Sequence, residues 1–461
     1  MIRCGRLRPS QMGRRSLLIA AAAAAAFGAL PAPALASSLF LIKGAGWGNG
    51  VGMSQWGAEG FALHGFGYRS ILAHYYPHTT VGTIADYPVR VELAADTPRV
   101  RVGSAAPFLL VDARGRKVHV HAGTLGFGRP LRLGRHALVP PLTVEPGVQP
   151  LTLDGAGYRG TLTLLRSGAG LTVVNTLPLE LYLRAVVPSE MPRGWLAAAY
   201  EAQAVAARSY AFATRDTSGP FDFYADSRSQ VYGGIGAETP ATNAAVGETA
   251  GQVLSYGDRV IAAYYDSDAG GRTAAVEDVF PGMSPEPYLV SVSDPYDSQS
   301  PYRRWQRALS AQELALRFGL DVADVRVEHA GSGVAAHVSL LGRGTRKLLS
   351  AHDFSSKLGL RSLRFSVCVL SLQGPAAAAH GRPVVLHGFL RGIGGVVLQQ
   401  RTAAGGWRQV ARVHAKPDGR FDVTVRPRAA TAYRLAVDEV AGPPVAVAVR
   451  SRLRALGRGR G

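Results

Sequence analysis

Between residues 44 and 52 glycine returns at every second position, within the run Gly44-Ala45-Gly46-Trp47-Gly48-Asn49-Gly50-Val51-Gly52-Met53-Ser54-Gln55-Trp56-Gly57-Ala58. If the run is extended, the two-residue period of a strand leaves one face without side chains and puts Ala45, Trp47, Asn49, Val51 and Met53 on the other. A bare face admits close approach of a backbone or a flat ligand. It is equally compatible with a tightly packed internal strand. No register gives the G-x-G-x-x-G dinucleotide pattern, and no Gly-Lys-Ser/Thr follows as in a phosphate loop. Trp47 and Trp56 suit stacking on sugar rings, while Asn49, Ser54 and Gln55 add neutral hydrogen-bonding groups.

The chain has 461 residues, too many for one compact domain, so two or three units are expected. Hydrophobic residues make up 47% and charged residues 18%, which excludes a mainly disordered protein. The formal charge of +19 leaves nucleic acid, anionic lipid and anionic cell wall open as partners. Nucleic acid is set aside, because the chain carries no basic-aromatic module of a known reader. Two cysteines, Cys4 and Cys368, make no disulfide framework.

The N-terminus reads as an export signal. Arg3, Arg6, Arg8, Arg14 and Arg15 precede the apolar run Leu17 to Leu30, and Ala34-Leu35-Ala36 supplies a small-residue cleavage site before Ser37. The run is too short to span a hydrocarbon core of about 30 Å, so no transmembrane anchor is expected after cleavage. Arg14-Arg15 leaves both the general and the twin-arginine export routes open.

Periodicity predicts an apolar strand at Leu39–Ile42, a helical stretch from about Gly57 to Tyr75 and a strand-rich region over 88–177. The strongest helix is Ala197 to Thr214, rich in alanine and without Gly or Pro. Strands are predicted at Gln252–Tyr256 and Val260–Tyr265, and a helix at about Ser310–Phe318. The Gly/Pro/Ala stretch 373–381 predicts a linker. Six evenly spaced strands follow over 382–450, the pattern of an immunoglobulin-like β-sandwich, and 451–461 is a basic tail expected to be disordered.

Glu190 lies in Val186-Val187-Pro188-Ser189-Glu190-Met191-Pro192, immediately before the alanine-rich helix. Between two prolines and among Val186, Val187, Met191 and Trp195, it is an unusual place for a solvated carboxylate. An apolar pocket raises the pKa and favours the protonated form that a general acid needs, whereas a helix N-terminus has the opposite effect. A carboxylate bonded to turn amides is the other reading of the same residues.

Together these stretches resemble the stage II sporulation protein D family, also called the amidase-enhancer family, of cell-wall lytic transglycosylases. The resemblance rests on the glycine block, Tyr75-Tyr76-Pro77, Tyr158-Arg159-Gly160, Val174-Asn175, Ser189-Glu190-Met191-Pro192, Ala202-Gln203-Ala204-Val205-Ala206-Ala207-Arg208, Gln230-Val231-Tyr232, Gly270-Gly271 and Pro287-Tyr288-Leu289. It implies an α+β, strand-rich catalytic domain over 37–372, peptidoglycan glycan strands as substrate, and Glu190 as the sole acid/base. On this reading Trp47, Asn49, Ser54, Gln55, Gln203, Arg208, Tyr210 and Gln230 bind substrate. Anionic wall polymers and a cell-wall amidase are the implied partners, and no cofactor is required. A non-catalytic amidase activator is the competing reading.

The chain departs from the family pattern at three places. Asn49 stands where members often carry His. Tyr224, Arg228 and Ser229 stand where some members hold a metal with Cys and His, so no zinc is expected there. The glycine block opens the mature chain instead of closing the domain, which implies a permuted order with Leu39–Gly52 docking beside 363–370. Asp266 and Asp268, in a loop that is commonly Ser-rich, offer a second carboxylate.

Overall fold

The computed structural model describes residues 37–450, apart from Arg343 and Ala404. The expected signal segment 1–36 and basic tail 451–461 lie outside the described residues.

The first described strand, Ser37–Gly44, is buried from Leu39 to Ile42 on both faces, as a near-continuous apolar run demands of an interior strand. It pairs antiparallel with Trp305–Ser310 on one side and Phe365–Gln373 on the other, Ser37 opposite Leu372 and Gly44 opposite Phe365. The N-terminal strand therefore docks where the sequence placed it. The sheet continues through Val384–Arg391 and Arg420–Val425. A second sheet, ordered Ala377–Ala379, Val445–Arg450, Thr431–Val437, Val397–Thr402 and Arg408–Arg412, shares an apolar core with it: Leu39, Leu370 and Leu372 pack with Leu398, Leu435 and Val447. The expected linker thus contains a paired strand, because Ala377–Ala379 runs parallel to Val445–Arg450.

The strand-rich region 88–177 builds its own core, in which Val100, Leu110, Phe127, Leu142, Leu162 and Val173 are buried together. Its last strand, Gly170–Pro178, leads directly into a group of helices: α1 (Gln55–Leu63), α2 (Tyr68–Tyr75), α3 (Leu179–Glu190), α4 (Ala197–Thr214) and α5 (Pro240–Glu248). The other four pack against α4. Buried alanines at 199, 202, 204, 206, 207 and 211 let those neighbours approach closely, so α4 holds its predicted bounds as the hub.

Two predictions need correction. The helix expected over 57–75 is two helices, because His64–Gly67 turns the chain, with Gly65 at φ +84°. The strand expected at Val260–Tyr265 shrinks to Arg259–Val260 and Tyr265–Asp266, with irregular backbone between them that carries Tyr264 O to Met53 N and Tyr76 OH. The α+β, strand-rich class holds: eight α-helices stand among many more strands in the described residues.

Candidate functional site

Glu190 is the last residue of α3, not part of a turn ahead of α4. Pro188 sits within that final turn, and the backbone leaves helical geometry at Met191. This reverses the dipole argument: the negative end of α3, not the positive end of α4, meets the carboxylate, and both that end and burial favour the protonated form. Burial is the main cause that raises the Glu190 pKa, while the Val231 amide, 2.8 Å from Oε1, and the Gln55 side-chain amide pull it down. The residue remains half-buried, so it is not sealed from solvent.

Around it the structure gathers side chains from four elements. Gln55, on the first turn of α1, also reaches Gln203 on α4, its Nε2 3.5 Å from Gln203 Oε1. Gln230 donates from Nε2 to Tyr265 OH at 2.8 Å and to the Ala207 carbonyl at 3.3 Å, and accepts from Tyr182 OH at 3.3 Å. Tyr182, Tyr210 and Tyr265 all feel the Glu190 charge. Gln55, Gln203 and Gln230 are almost fully buried. They therefore order the wall behind the carboxylate, with Gln203 Nε2 left without a partner. Trp56, next to Gln55, and Trp195, five residues after Glu190, are both partly exposed and meet edge to face at 4.9 Å. Tyr200 pins the intervening loop, donating to the Pro192 carbonyl and accepting from Trp195 N.

The glycine run is not a flat strand. Gly46, Gly48, Gly50 and Gly52 all have positive φ, so the chain turns at every second residue. Space enforces the same choice: a Cβ at Gly52 would lie 1.9 Å from Tyr264 O, and one at Gly46 would lie 2.4 Å from Asp268 O. The backbone of 264–270 therefore fills the close approach that the bare face admits. Asn49 Oδ1 accepts from Val51 N at 2.7 Å and shapes this loop. Ser54 is the N-cap of α1, accepting from Gly57 N at 3.0 Å, and is fully buried. Trp47, 45% exposed, packs edge to face on Tyr302 at 4.3 Å. A small cleft lies beside Asn49 and Asp268, lined also by Ser362 and Arg364, and Glu190 is not among its lining.

Arg208 does not line the groove. Its side chain is fully buried in a two-pronged pair with Glu180, Nε and Nη2 each 2.8 Å from a carboxylate oxygen, and it caps the carbonyls of Ala204 and Gln252. Tyr224, Arg228 and Ser229 form a local turn: Arg228 stacks over Tyr224 at 3.7 Å and pairs with Asp226. Asp266 and Asp268 are committed to the glycine loop and its neighbours, Asp266 accepting from Gly50 N and Asp268 from Gly270 N and Ser300.

Sequence reasoning missed two features. Glu59, one helical turn after Gln55, is buried and accepts from Leu196 N at 3.0 Å, closing the N-terminus of α4; burial raises its pKa. The spacing of Gln55 and Glu59 was the available signal. Asp294 and Asp297 lie buried near Asp268, with pKa values raised to about 6 and about 7, chiefly by burial. No periodicity marks them.

Comparison with known proteins narrows the kinship. Residues 167–256 match the family model described as stage II sporulation protein. An uncharacterized protein of Brachyspira hyodysenteriae is 37% identical over 212 residues, 45% of this chain and 55% of that one. The amidase enhancer of Bacillus subtilis is 34% identical over 213 residues, 46% of this chain and 28% of that one. Stage II sporulation protein D of Bacillus amyloliquefaciens is 32% identical over 217 residues, 42% of this chain and 60% of that one. The matched region thus covers between 28% and 60% of these relatives' own lengths. No solved structure matches at a significant level. Residues 167–256, which carry Glu190, Gln203, Arg208, Tyr210 and Gln230, match the stage II sporulation protein model, the family that the motifs resemble.

Proposed function

We propose that this chain is an exported peptidoglycan lytic transglycosylase that cleaves the β-1,4 bond between N-acetylmuramic acid and N-acetylglucosamine. The observation that carries this reading is Glu190: a half-buried carboxylate of raised pKa at a helix C-terminus, touched by the neutral donors Val231 N and Gln55. A hydrolytic glycosidase needs two carboxylates, an acid and a base or nucleophile. Here Asp266 and Asp268 are held by the glycine loop and its neighbours. A single acid suffices if the nucleophile comes from the substrate. Glu190 gives its proton to the glycosidic oxygen as the C1–O bond breaks, then takes the proton of the C6 hydroxyl as that oxygen bonds to C1, leaving a 1,6-anhydro end. Holding both groups on one sugar makes the attack intramolecular.

Trp56 and Trp195 form the sugar-stacking wall, and Gln55 sets the acidity of Glu190. Asn49, which shapes the loop by its own bond to Val51, stands where catalysis needs no proton carrier. Residues 382–450 form an immunoglobulin-like accessory region that shares a sheet and a core with Ser37–Gly44 and Phe365–Gln373, so it is not a module set apart by a linker. Trp407, clasped between Arg401 and Arg434 at 4.9 Å and 4.1 Å, is its contact to anionic wall polymers. The cell wall is the site of action; among the described residues no helix is long and apolar enough to cross a membrane.

The second reading, a glycan-binding activator of a cell-wall amidase, is favoured by the name of the Bacillus subtilis relative. Mass spectrometry of peptide-bearing and peptide-free glycan strands digested by wild type and Glu190→Gln separates the two. Anhydromuramyl ends from wild type alone support the transglycosylase. Their absence on both substrates with glycan binding retained selects the activator, and ordinary reducing ends mean hydrolysis.

A further inference from the structure

Oxygen atoms of Asp268, Asp294 and Asp297, one from each, lie within 4.8 Å of one another, and all three residues are buried. Their protein partners are incomplete. Asp268 accepts from Gly270 N and Ser300 Oγ, and Asp294 Oδ1 accepts from Tyr75 OH at 2.7 Å with the Ser54 hydroxyl beside it. Asp294 Oδ2 and both oxygens of Asp297 are buried without a hydrogen-bond donor; the Gly271 amide is near Asp297 but outside hydrogen-bond geometry. Arg303 Nε approaches Asp297 Oδ1 at 3.2 Å. Asp294 Oδ2 and Asp297 Oδ2, on residues 0% exposed, have neither a donor nor this arginine.

Buried carboxylate oxygens without partners, on residues whose carboxylates gather this closely, call for a positive ligand, since leaving a buried charge uncompensated is costly. The donor set is oxygen only, which suits a hard cation and not zinc. Calcium binds oxygens at about 2.3–2.6 Å, so two ligands on opposite sides of it stand roughly 4.6–5.2 Å apart. Three carboxylate oxygens within 4.8 Å of one another can share one such ion. Magnesium demands a near-ideal octahedron and keeps several waters, whereas calcium accepts irregular oxygen sets of this kind.

We propose that Asp268, Asp294 and Asp297 bind one calcium-class divalent cation that fastens the glycine loop to the start of α1. Asp268 exchanges both backbone hydrogen bonds with Trp47, and Asp294 is reached by Ser54, the cap of α1. The site is therefore structural, and distinct in chemistry from the Cys/His site that some family members hold where this chain has Tyr224, Arg228 and Ser229. It does not depend on what Glu190 does.

The test uses full-length protein stripped with a chelator and dialysed, with calcium or magnesium alone as probe. Calorimetry of the wild type should show one equivalent of calcium bound, and calcium should raise Tm by about 5 °C at saturating concentration. Asp297→Asn should lose the Tm response, and Asp418→Asn, on an exposed turn, should keep it. Absence of both heat and Tm shift in the wild type at about 5 mM calcium, above the weak end of protein calcium sites, overturns the proposal. So does an undiminished calcium response in Asp297→Asn, or tighter binding of magnesium. If Asp297→Asn does not fold, the wild-type stoichiometry decides alone.

Discussion

The two ends of α3 carry the same residue type in opposite settings. Glu180, in the first turn, has its carboxylate filled by Arg208 Nε and Nη2 and by Gly251 N, and the helix N-terminus favours its charge. Glu190, in the last turn, meets an unfavourable dipole and the neutral donors Val231 N and Gln55. One glutamate is locked into a salt bridge that joins α3 to α4. The other is half-buried with neutral donors only, and burial raises its pKa. What separates the two is whether a cation neutralises the carboxylate.

This contrast can be broken most sharply at Glu190. Glu190→Gln keeps an oxygen for Val231 N, so Tm should move by less than about 2 °C, while release of anhydromuramyl ends falls by about 10²–10⁴-fold. A comparable loss of Tm would make Glu190 a structural residue like Glu180. At the other end, Arg208→Ala leaves Glu180 without its cation and should cost about 3–5 kcal/mol in urea unfolding. A loss confined to activity would instead put Arg208 in the groove.

A subtler change tests the acidity of Glu190. The acid must be protonated to act, so kcat/KM falls as pH rises through its folded pKa. Removing a donor that lowers that pKa, as in Gln55→Leu, should move this falling limb to higher pH, read from a pH–rate profile. A shift to lower pH would mean that Gln55 stabilises the neutral acid. The smallest effect is expected at Asn49. Asn49→Ala loses the bond to Val51 N and should cost about 1 kcal/mol while cleavage persists; a loss of cleavage larger than that of stability would make Asn49 part of the chemistry.

Legibility followed the range of the forces involved. The helix at 197–214 was readable to the residue, because alanine propensity and the absence of breakers act locally. The interior place of the first strand was readable from its continuous apolar run, whereas its partner near 365–373 was legible only through the resemblance, which implied that segment. Glu190 stood out by its apolar neighbours, yet its position on α3 was hidden by Pro188, which a helix tolerates here only in its last turn. Arg208 was misread, since the face of α4 that bears it is closed by Glu180, 28 residues away. Asp294 and Asp297 left no pattern, because irregular segments bring them to Asp268 and Tyr75. The alternating glycines were visible, but their cause is positive φ and a neighbouring backbone, not a pleat.

The pairing of Ser37–Gly44 with Phe365–Gln373 has a consequence for the order of assembly. The hydroxyls of Ser38 and Ser371, 333 positions apart in the chain, meet at 3.1 Å. A ribosome working from the N-terminus makes the first strand long before its central mate exists. That strand, apolar from Leu39 to Ile42, must wait while the helices and the strand-rich region take shape, and it closes the sheet only once the segment near residue 370 emerges. Completion of the fold is thus gated by a late event, and a chain cut short before residue 365 keeps its opening strand without that mate.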